Sequence, residues 1–194
     1  MNGAATPSQP ADSDTSDARD AHAKKQTRSS DKSKFALWNT RSLRNKTTSV
    51  TDLILNYNLD ILAICESWLH GDERDNHVIA DLKKSLPDFT LYQVSRQTRG
   101  GGVCVLLRQS LKVNLNATEV YTSFEYIDLS LQLKSLVMRL VVVYRPPSTK
   151  GSKGGTSVFY DEFTALMESC GNSSHNLLIT GDFNLHVDNP ENND

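Results

Sequence analysis

Cysteine is scarce in this chain of 194 residues: Cys65, Cys104 and Cys170 are odd in number, widely spaced and set among apolar residues. That pattern supplies neither a disulfide framework nor the paired spacing of a zinc site, and it reads as buried thiols in a reducing compartment. Long apolar runs are also missing. No stretch has membrane-spanning length and no secretory h-region is present, so the expected location is nuclear or cytoplasmic rather than secreted, with no membrane partner. The sequons at Asn45, Asn116 and Asn172 are then expected to stay unglycosylated. Excess charge of either sign is lacking as well: 21 basic against 23 acidic residues leave a net charge of -2. No global field pulls the chain toward a polyanion, so any such site must be local.

Aromatic and large aliphatic residues are absent between Met1 and Lys34, where Ala, Ser, Thr, Asp and Lys dominate. Such a segment cannot bury enough apolar area to offset its ordering entropy, and residues 1–34 are expected to be a disordered polar tail. From Phe35 onward the composition is that of a folded domain, 35–194, long enough for a substantial core.

The organising stretch is Leu177 to Asp188. Its apolar start, Leu177 to Ile179, reads as a buried strand. Gly181 follows, and then Asp182, Asn184 and His186 stand at alternate positions. Alternate residues of an extended chain share a face, which sets a carboxylate beside an amide at the end of a strand. That pair suits a metal-bound water or a phosphate oxygen, with Gly181 permitting a tight bend; the same residues are also ordinary turn formers.

Earlier in the chain, Phe35 to Thr40 reads as a strand, and Ser49-Val-Thr-Asp52 resembles a capping box with Asp in place of Glu. It opens a helical stripe of Val50, Leu53, Ile54 and Tyr57. Ile61 to Cys65 is a continuous apolar run of strand length, which gives a βαβ-like start with both strands buried on two faces. A short helix around Val78 to Leu82 comes next. Strands Phe89 to Val94 and Val103 to Leu107 follow, joined by a loop through Gly100-Gly-Gly102. No Lys-Ser/Thr follows those glycines, so a hairpin loop is expected rather than a phosphate loop.

Phe124 to Leu133 alternates, with Ile127, Leu129, Leu131 and Leu133 on one face and Asp128, Ser130 and Gln132 on the other. A turn at Lys134-Ser135 leads into Leu136 to Tyr144, completing a long hairpin that Pro146-Pro147 ends. Ser157 then precedes a helix, with Asp161 and Glu162 in its first turn, where the helix dipole favours anions.

Four apolar runs thus finish on a polar residue: Asn39, Glu66, Tyr144 and Asp182. An amide, two carboxylates and a phenol supply a metal ligand, a general base and two hydrogen-bond groups for phosphate. That is the inventory for metal-assisted phosphodiester hydrolysis. The hard cation Mg²⁺, or Mn²⁺ in its place, takes carboxylate oxygens and keeps waters for substrate.

Trp38-Asn39, Cys65-Glu-Ser-Trp-Leu69, Gly100-Gly-Gly-Val103, Tyr144-Arg-Pro-Pro147 and Gly181-Asp-Phe-Asn184, in this order, resemble the endonuclease/exonuclease/phosphatase superfamily. Tyr144-Arg-Pro-Pro147 and Leu185-His-Val-Asp188 bring the likeness nearest to the apurinic-type endonuclease domain of non-LTR (LINE-like) retrotransposons. Repair-type apurinic endonucleases usually carry an acid two residues after the position of Asn39. Arg41 stands there, which favours the retrotransposon branch.

The resemblance implies an α/β fold, a four-layer α/β/β/α sandwich of two mixed sheets. It implies that Glu66 binds the divalent metal with Asn39 beside it, and that Tyr144 hydrogen-bonds the scissile phosphate. Asp182 would deprotonate the attacking water, and Asn184 would steady the phosphate. Arg41 and Arg145, next to these residues, are candidates for contacts to flanking phosphates. The implied partners are DNA and, in a longer polyprotein, a downstream reverse transcriptase.

The family also carries a Ser-Asp-His segment on a later strand, which would lie beyond Asp194. The chain is therefore expected to lack its last strands and to be impaired in nicking DNA; His186 would come from the wrong strand to replace that histidine. Two other functions fit the same residues. One is a non-catalytic remnant of a decayed mobile element. The other is an inositol-phosphate or phospholipid phosphodiesterase or phosphatase.

Overall fold

The apolar runs become strands and the 3.6-residue stripes become helices in the computed structural model, which describes residues 32–95, 100–116, 119–133, 136–147, 155–171 and 175–185. The expected tail falls almost wholly outside these residues, as do His186, Asp188 and the turn at Lys134-Ser135. The strands are β1 (Phe35–Asn39), β2 (Ile61–Cys65), β3 (Phe89–Val94), β4 (Val103–Arg108), β5 (Lys112–Leu115), β6 (Glu125–Gln132), β7 (Val137–Tyr144) and β8 (Asn176–Asp182). The helices are α1 (Thr47–Tyr57), α2 (Asn76–Ser85) and α3 (Gly155–Gly171).

Two four-stranded sheets result, one in the order β1-β2-β4-β3 and the other β5-β6-β7-β8. Each is mixed. β1 runs parallel to β2, and β7 parallel to β8; the remaining pairs are antiparallel. The inner faces meet in an apolar layer, with Ile61, Ala63, Val103 and Val105 of one sheet against Ile127, Leu129, Leu140 and Val142 of the other. Val50 and Ile54 of α1 and Val78 and Leu82 of α2 cover the outer face of the first sheet. Phe159, Leu166 and Cys170 of α3 cover Val141 and Val143 of the second. The expected α/β/β/α sandwich is therefore the observed one. Among the described residues no helix is long and apolar enough to cross a membrane.

Several local expectations are corrected. Helix α1 begins at Thr47 with no side-chain cap, so Ser49 lies inside the helix and caps nothing. Its neighbour Thr51 instead bonds back to the Thr47 carbonyl at 2.9 Å. Strand β1 is an edge strand and only partly buried, unlike β2, which is buried throughout. β8 is likewise an edge strand, and it runs through Gly181 to Asp182 without bending. Gly181 matters for another reason. A Cβ there would lie 1.8 Å from the Val143 carbonyl oxygen, so only hydrogen fits where β8 crosses β7.

Asp128, on the face of β6 opposite Ile127 and Leu129 as the alternation has it, is 1% exposed. Arg139 of β7, diagonally across the pair because its register partner is Ser130, grips it, Nη2 to Oδ2 at 2.6 Å and Nε to Oδ1 at 3.1 Å. Helix α3 begins earlier than Ser157, so Asp161 and Glu162 lie beyond its first turn. Glu162 ties down the segment before β6 instead, accepting hydrogen bonds from the Thr122 and Ser123 backbone N–H groups and hydroxyls. Strand β5 had no counterpart in the sequence reading, because four residues are too few for an alternation to register.

Candidate active site

Parallel pairing sets the geometry. β1 and β2 run together with Asn39 opposite Cys65, and β7 and β8 run together with Tyr144 opposite Asp182. Each strand end therefore delivers its terminal polar residue to the same side of its sheet. Asn39 joins the two sheets. Its Nδ2 donates to Glu66 Oε1 at 2.8 Å and to Asp182 Oδ2 at 2.6 Å. Its Oδ1 accepts from the Arg41 backbone N–H at 3.2 Å. One carboxamide thus holds two carboxylates that lie far apart in the sequence.

The loops around these residues are wound tightly. Arg41, Ser42, Glu66, Trp68 and Asn184 all have positive φ, a conformation that L residues adopt rarely and that concentrates at functional sites. Specific bonds hold it in place. The Glu66 carbonyl accepts from Ser42 N–H at 2.8 Å and from the buried Thr40 hydroxyl at 3.1 Å. Ser67 and Trp68 N–H groups donate to the Gly102 and Gly101 carbonyls. The glycine turn after β3 is thereby a brace for the Glu66 loop, and not a phosphate cradle.

On the β8 side, Asn184 N–H donates to Asp182 Oδ1 at 3.1 Å, and Asn184 Nδ2 donates to the Arg145 carbonyl at 2.6 Å. Arg145 itself is 3% exposed. Its Nη1 donates to the Asn184 carbonyl at 3.0 Å and its Nη2 to Thr156 Oγ1 at 3.1 Å, with the guanidinium 5.0 Å over the Phe159 ring. Burial lowers its affinity for a proton somewhat. A contact from Arg145 to a flanking phosphate does not fit this burial. Arg41, by contrast, is exposed.

The site opens as a cleft of about 520 Å³ lined by Leu37, Asn39, Cys65, Asp182, Phe183 and Asn184, among others. Cys65 forms part of its floor, 3.6 Å from the Val143 carbonyl. Burial chiefly, with added repulsion from Asp182, Glu66 and Glu125, pushes its thiol up to about 12 despite a hydrogen bond with the Asp182 backbone. The sulfur stays protonated and is no nucleophile.

Glu125, at the start of β6 and opposite Tyr144, is the residue that sequence reading missed. Its signal was there to find. It shares the parity of Ile127, Leu129 and Leu131, and a carboxylate on the buried parity of a strand calls for an explanation. Its Oε2 accepts from Gly102 N–H at 3.4 Å, which links it to the brace of the Glu66 loop.

The donor set limits what ion would fit. Among the described residues no group of three or more His, Cys, Asp or Glu side chains could hold a metal ion. An all-protein cage is therefore not formed by them. Glu66 and Asp182 meet on the Asn39 amide nitrogen, while the amide oxygen is turned to the Arg41 N–H. A hard ion that retains most of its water needs no more than such sparse carboxylates.

Solved structures of several proteins share this fold. A humanized D. rerio TDP2 carrying 14 mutations superposes with a TM-score of 0.57 at 15% identity, covering 81% of this chain and 64% of that one. The human Nocturnin catalytic domain with bound sulfate gives 0.55 at 16%, covering 79% and 64%. A Bacteroides thetaiotaomicron mannosyl-6-phosphatase gives 0.57 at 12%, covering 81% and 67%. The chain thus spans about 64% of the length of the first of these structures. No curated protein matches the sequence. The family model does: Endonuclease/Exonuclease/phosphatase matches residues 36–194, and the chain belongs to that family.

Proposed function

We propose that this chain is a divalent-metal-dependent DNA endonuclease domain of the retrotransposon type, nicking one strand by phosphodiester hydrolysis. The observation that carries the reading is the Asn39 carboxamide held between Glu66 and Asp182 at 2.8 and 2.6 Å. Family membership supplies the general class, hydrolysis of phosphate esters. Arg41 in place of an acid and the Tyr144-Arg-Pro-Pro147 run support the retrotransposon branch.

In this reading Glu66 would hold Mg²⁺ or Mn²⁺, with Asn39 beside it; the Asn39 amide oxygen would join only by turning from the Arg41 N–H that it accepts from. When bound, the ion supplies a Lewis acid for a phosphoryl oxygen. The side chains do the rest by position. Asp182 Oδ2 orients a water and takes its proton as the oxygen attacks phosphorus. Asn39 keeps that carboxylate aimed. The second N–H of the Asn184 amide donates toward the phosphate oxygens, where charge grows as the far P–O bond breaks. Tyr144, 4% exposed in the apolar layer between the sheets, would reach a phosphate only if its ring swung out of that layer. Arg41, exposed at the rim, meets a flanking phosphate. DNA is the partner, and a reverse transcriptase is the expected neighbour in a longer polyprotein.

The test is nicking of supercoiled plasmid with Mg²⁺, against EDTA and Asp182→Ala, beside release of phosphate from a hexose 6-phosphate and an inositol phosphate. Metal-dependent nicking at any measurable rate, slow as well as fast, that disappears in Asp182→Ala is the expected result. Phosphate release without nicking would move the function to a phosphatase. Failure of every arm would favour a non-catalytic remnant.

A further inference from the structure

The Tyr-Arg-Pro-Pro run contributes more than its tyrosine. Arg145 follows Tyr144 directly, yet its side chain turns inward, away from any substrate. The residue surrounds the loop that bears the proposed base. Its backbone N–H donates to the Asp182 carbonyl at 2.9 Å, and its carbonyl accepts from Asn184 Nδ2 at 2.6 Å. Its Nη1 reaches the Asn184 carbonyl at 3.0 Å and the Phe183 carbonyl at 3.4 Å, while Nη2 anchors to Thr156 on α3. Phe159 of α3 lies beneath the guanidinium at 5.0 Å, and Phe183 packs edge-on to Phe159 with centroids 6.4 Å apart.

We propose that Arg145 is a positioning residue, whose guanidinium locks the turn 182–184 to α3 and so fixes the aim of Asp182 and Asn184. This rests on the endonuclease reading of the same site. Asn184 sits at φ +46, a left-handed conformation that asparagine tolerates better than most residues but that leaves the carbonyls of the turn outside any strand ladder, where the Arg145 fork meets them. A planar fork can hold two successive carbonyls and a hydroxyl at once. A lysine at the same place carries the charge without that geometry. The guanidinium is buried, so its role here is internal and not a contact to substrate.

The experiment uses the full chain and a labelled DNA duplex with Mg²⁺. Arg145→Lys and Arg145→Ala are compared with wild type for kcat, KM, Mg²⁺ affinity and circular dichroism. Expected is a fall in kcat of about a hundredfold, since displacement of a reacting group by about 1 Å has that effect. KM and Mg²⁺ affinity should stay within threefold, because Glu66 and Asn39 lie on the other sheet. Methylguanidinium should restore at least a tenth of the lost kcat in Arg145→Ala but not in Arg145→Lys, whose side chain fills the cavity. A role in packing alone would lower activity through unfolded protein, which the exogenous cation would not recover. Wild-type kcat in both variants overturns the proposal, and so does a rise in KM with kcat unchanged, which would make Arg145 a substrate contact. An inactive wild type would instead overturn the endonuclease reading, and this one with it.

Discussion

Asn39 Nδ2 lies 2.6 Å from Asp182 Oδ2, a bond between residues separated by 143 positions and carried by different sheets. The same nitrogen serves Glu66. Replacement by leucine would leave two carboxylates facing each other without their shared donor. Asn39→Leu is expected to lower stability by about 1–3 kcal/mol, the usual effect of removing the partner of a desolvated acceptor. Millimolar Mg²⁺ should recover less of that loss than it adds to wild type, because the amide beside the ion is gone too. Thermal unfolding with and without Mg²⁺ reads both effects.

Glu66 is the proposed anchor of the ion. Glu66→Gln keeps the shape and the bond to Asn39 while removing the charge that offsets dehydration of Mg²⁺. Calorimetry should register binding by wild type and none by the variant; equal heats would take Glu66 out of the metal site.

The Asp128–Arg139 pair offers a test far from the site. The side chains are 2% and 14% exposed, and Asn116 Nδ2 adds a third donor to Asp128 at 2.6 Å. Arg139→Met strands a buried carboxylate and should cost about 3–5 kcal/mol in denaturant unfolding. Adding Asp128→Leu to it should regain most of the loss, since an apolar pair avoids the desolvation altogether.

Glu162 sets a pH dependence. Burial alone would raise its carboxyl, but donors from Ser123 and Thr122 outweigh that and hold it below its ordinary 4.5. A carboxyl lowered on folding adds stability that is fully present above about 4.5 and is lost as pH falls through the folded value. Glu162→Gln should therefore unfold more easily than wild type at pH 7, with the gap closing as the medium is acidified below pH 4. Urea midpoints at several pH values measure the gap, and a constant offset would contradict the assignment.

Much of this was legible in the sequence, because strand ends report on themselves. Asn39, Glu66, Tyr144 and Asp182 each terminate an apolar run, and parallel pairing within each sheet brings such ends together without further information. The alternation from Ile127 to Leu133 marked a hairpin, while the two-sheet architecture came from the family resemblance. What stayed hidden depends on partners remote in sequence. Nothing local announces that Asp128 meets Arg139, since the two lie on different strands. Arg145 was a candidate for a phosphate contact because the sequence around it does not tell that Thr156 and Phe159 of α3 meet its guanidinium. The apparent capping box at Ser49 failed because packing of Val50 and Ile54 extends the helix to Thr47, and tertiary contact overrides a weak local signal.

Gly181 turns this architecture into an all-or-none tolerance. With a Cβ placed 1.8 Å from the Val143 oxygen, alanine is excluded as firmly as valine, so tolerance there does not scale with side-chain size. Any replacement must push β8 off β7 one residue before Asp182, and the displaced strand carries the carboxylate with it. In a saturation library this position would therefore lack intermediate phenotypes. Its variants would sort into one functional class, glycine, and one class in which fold and site are disturbed together.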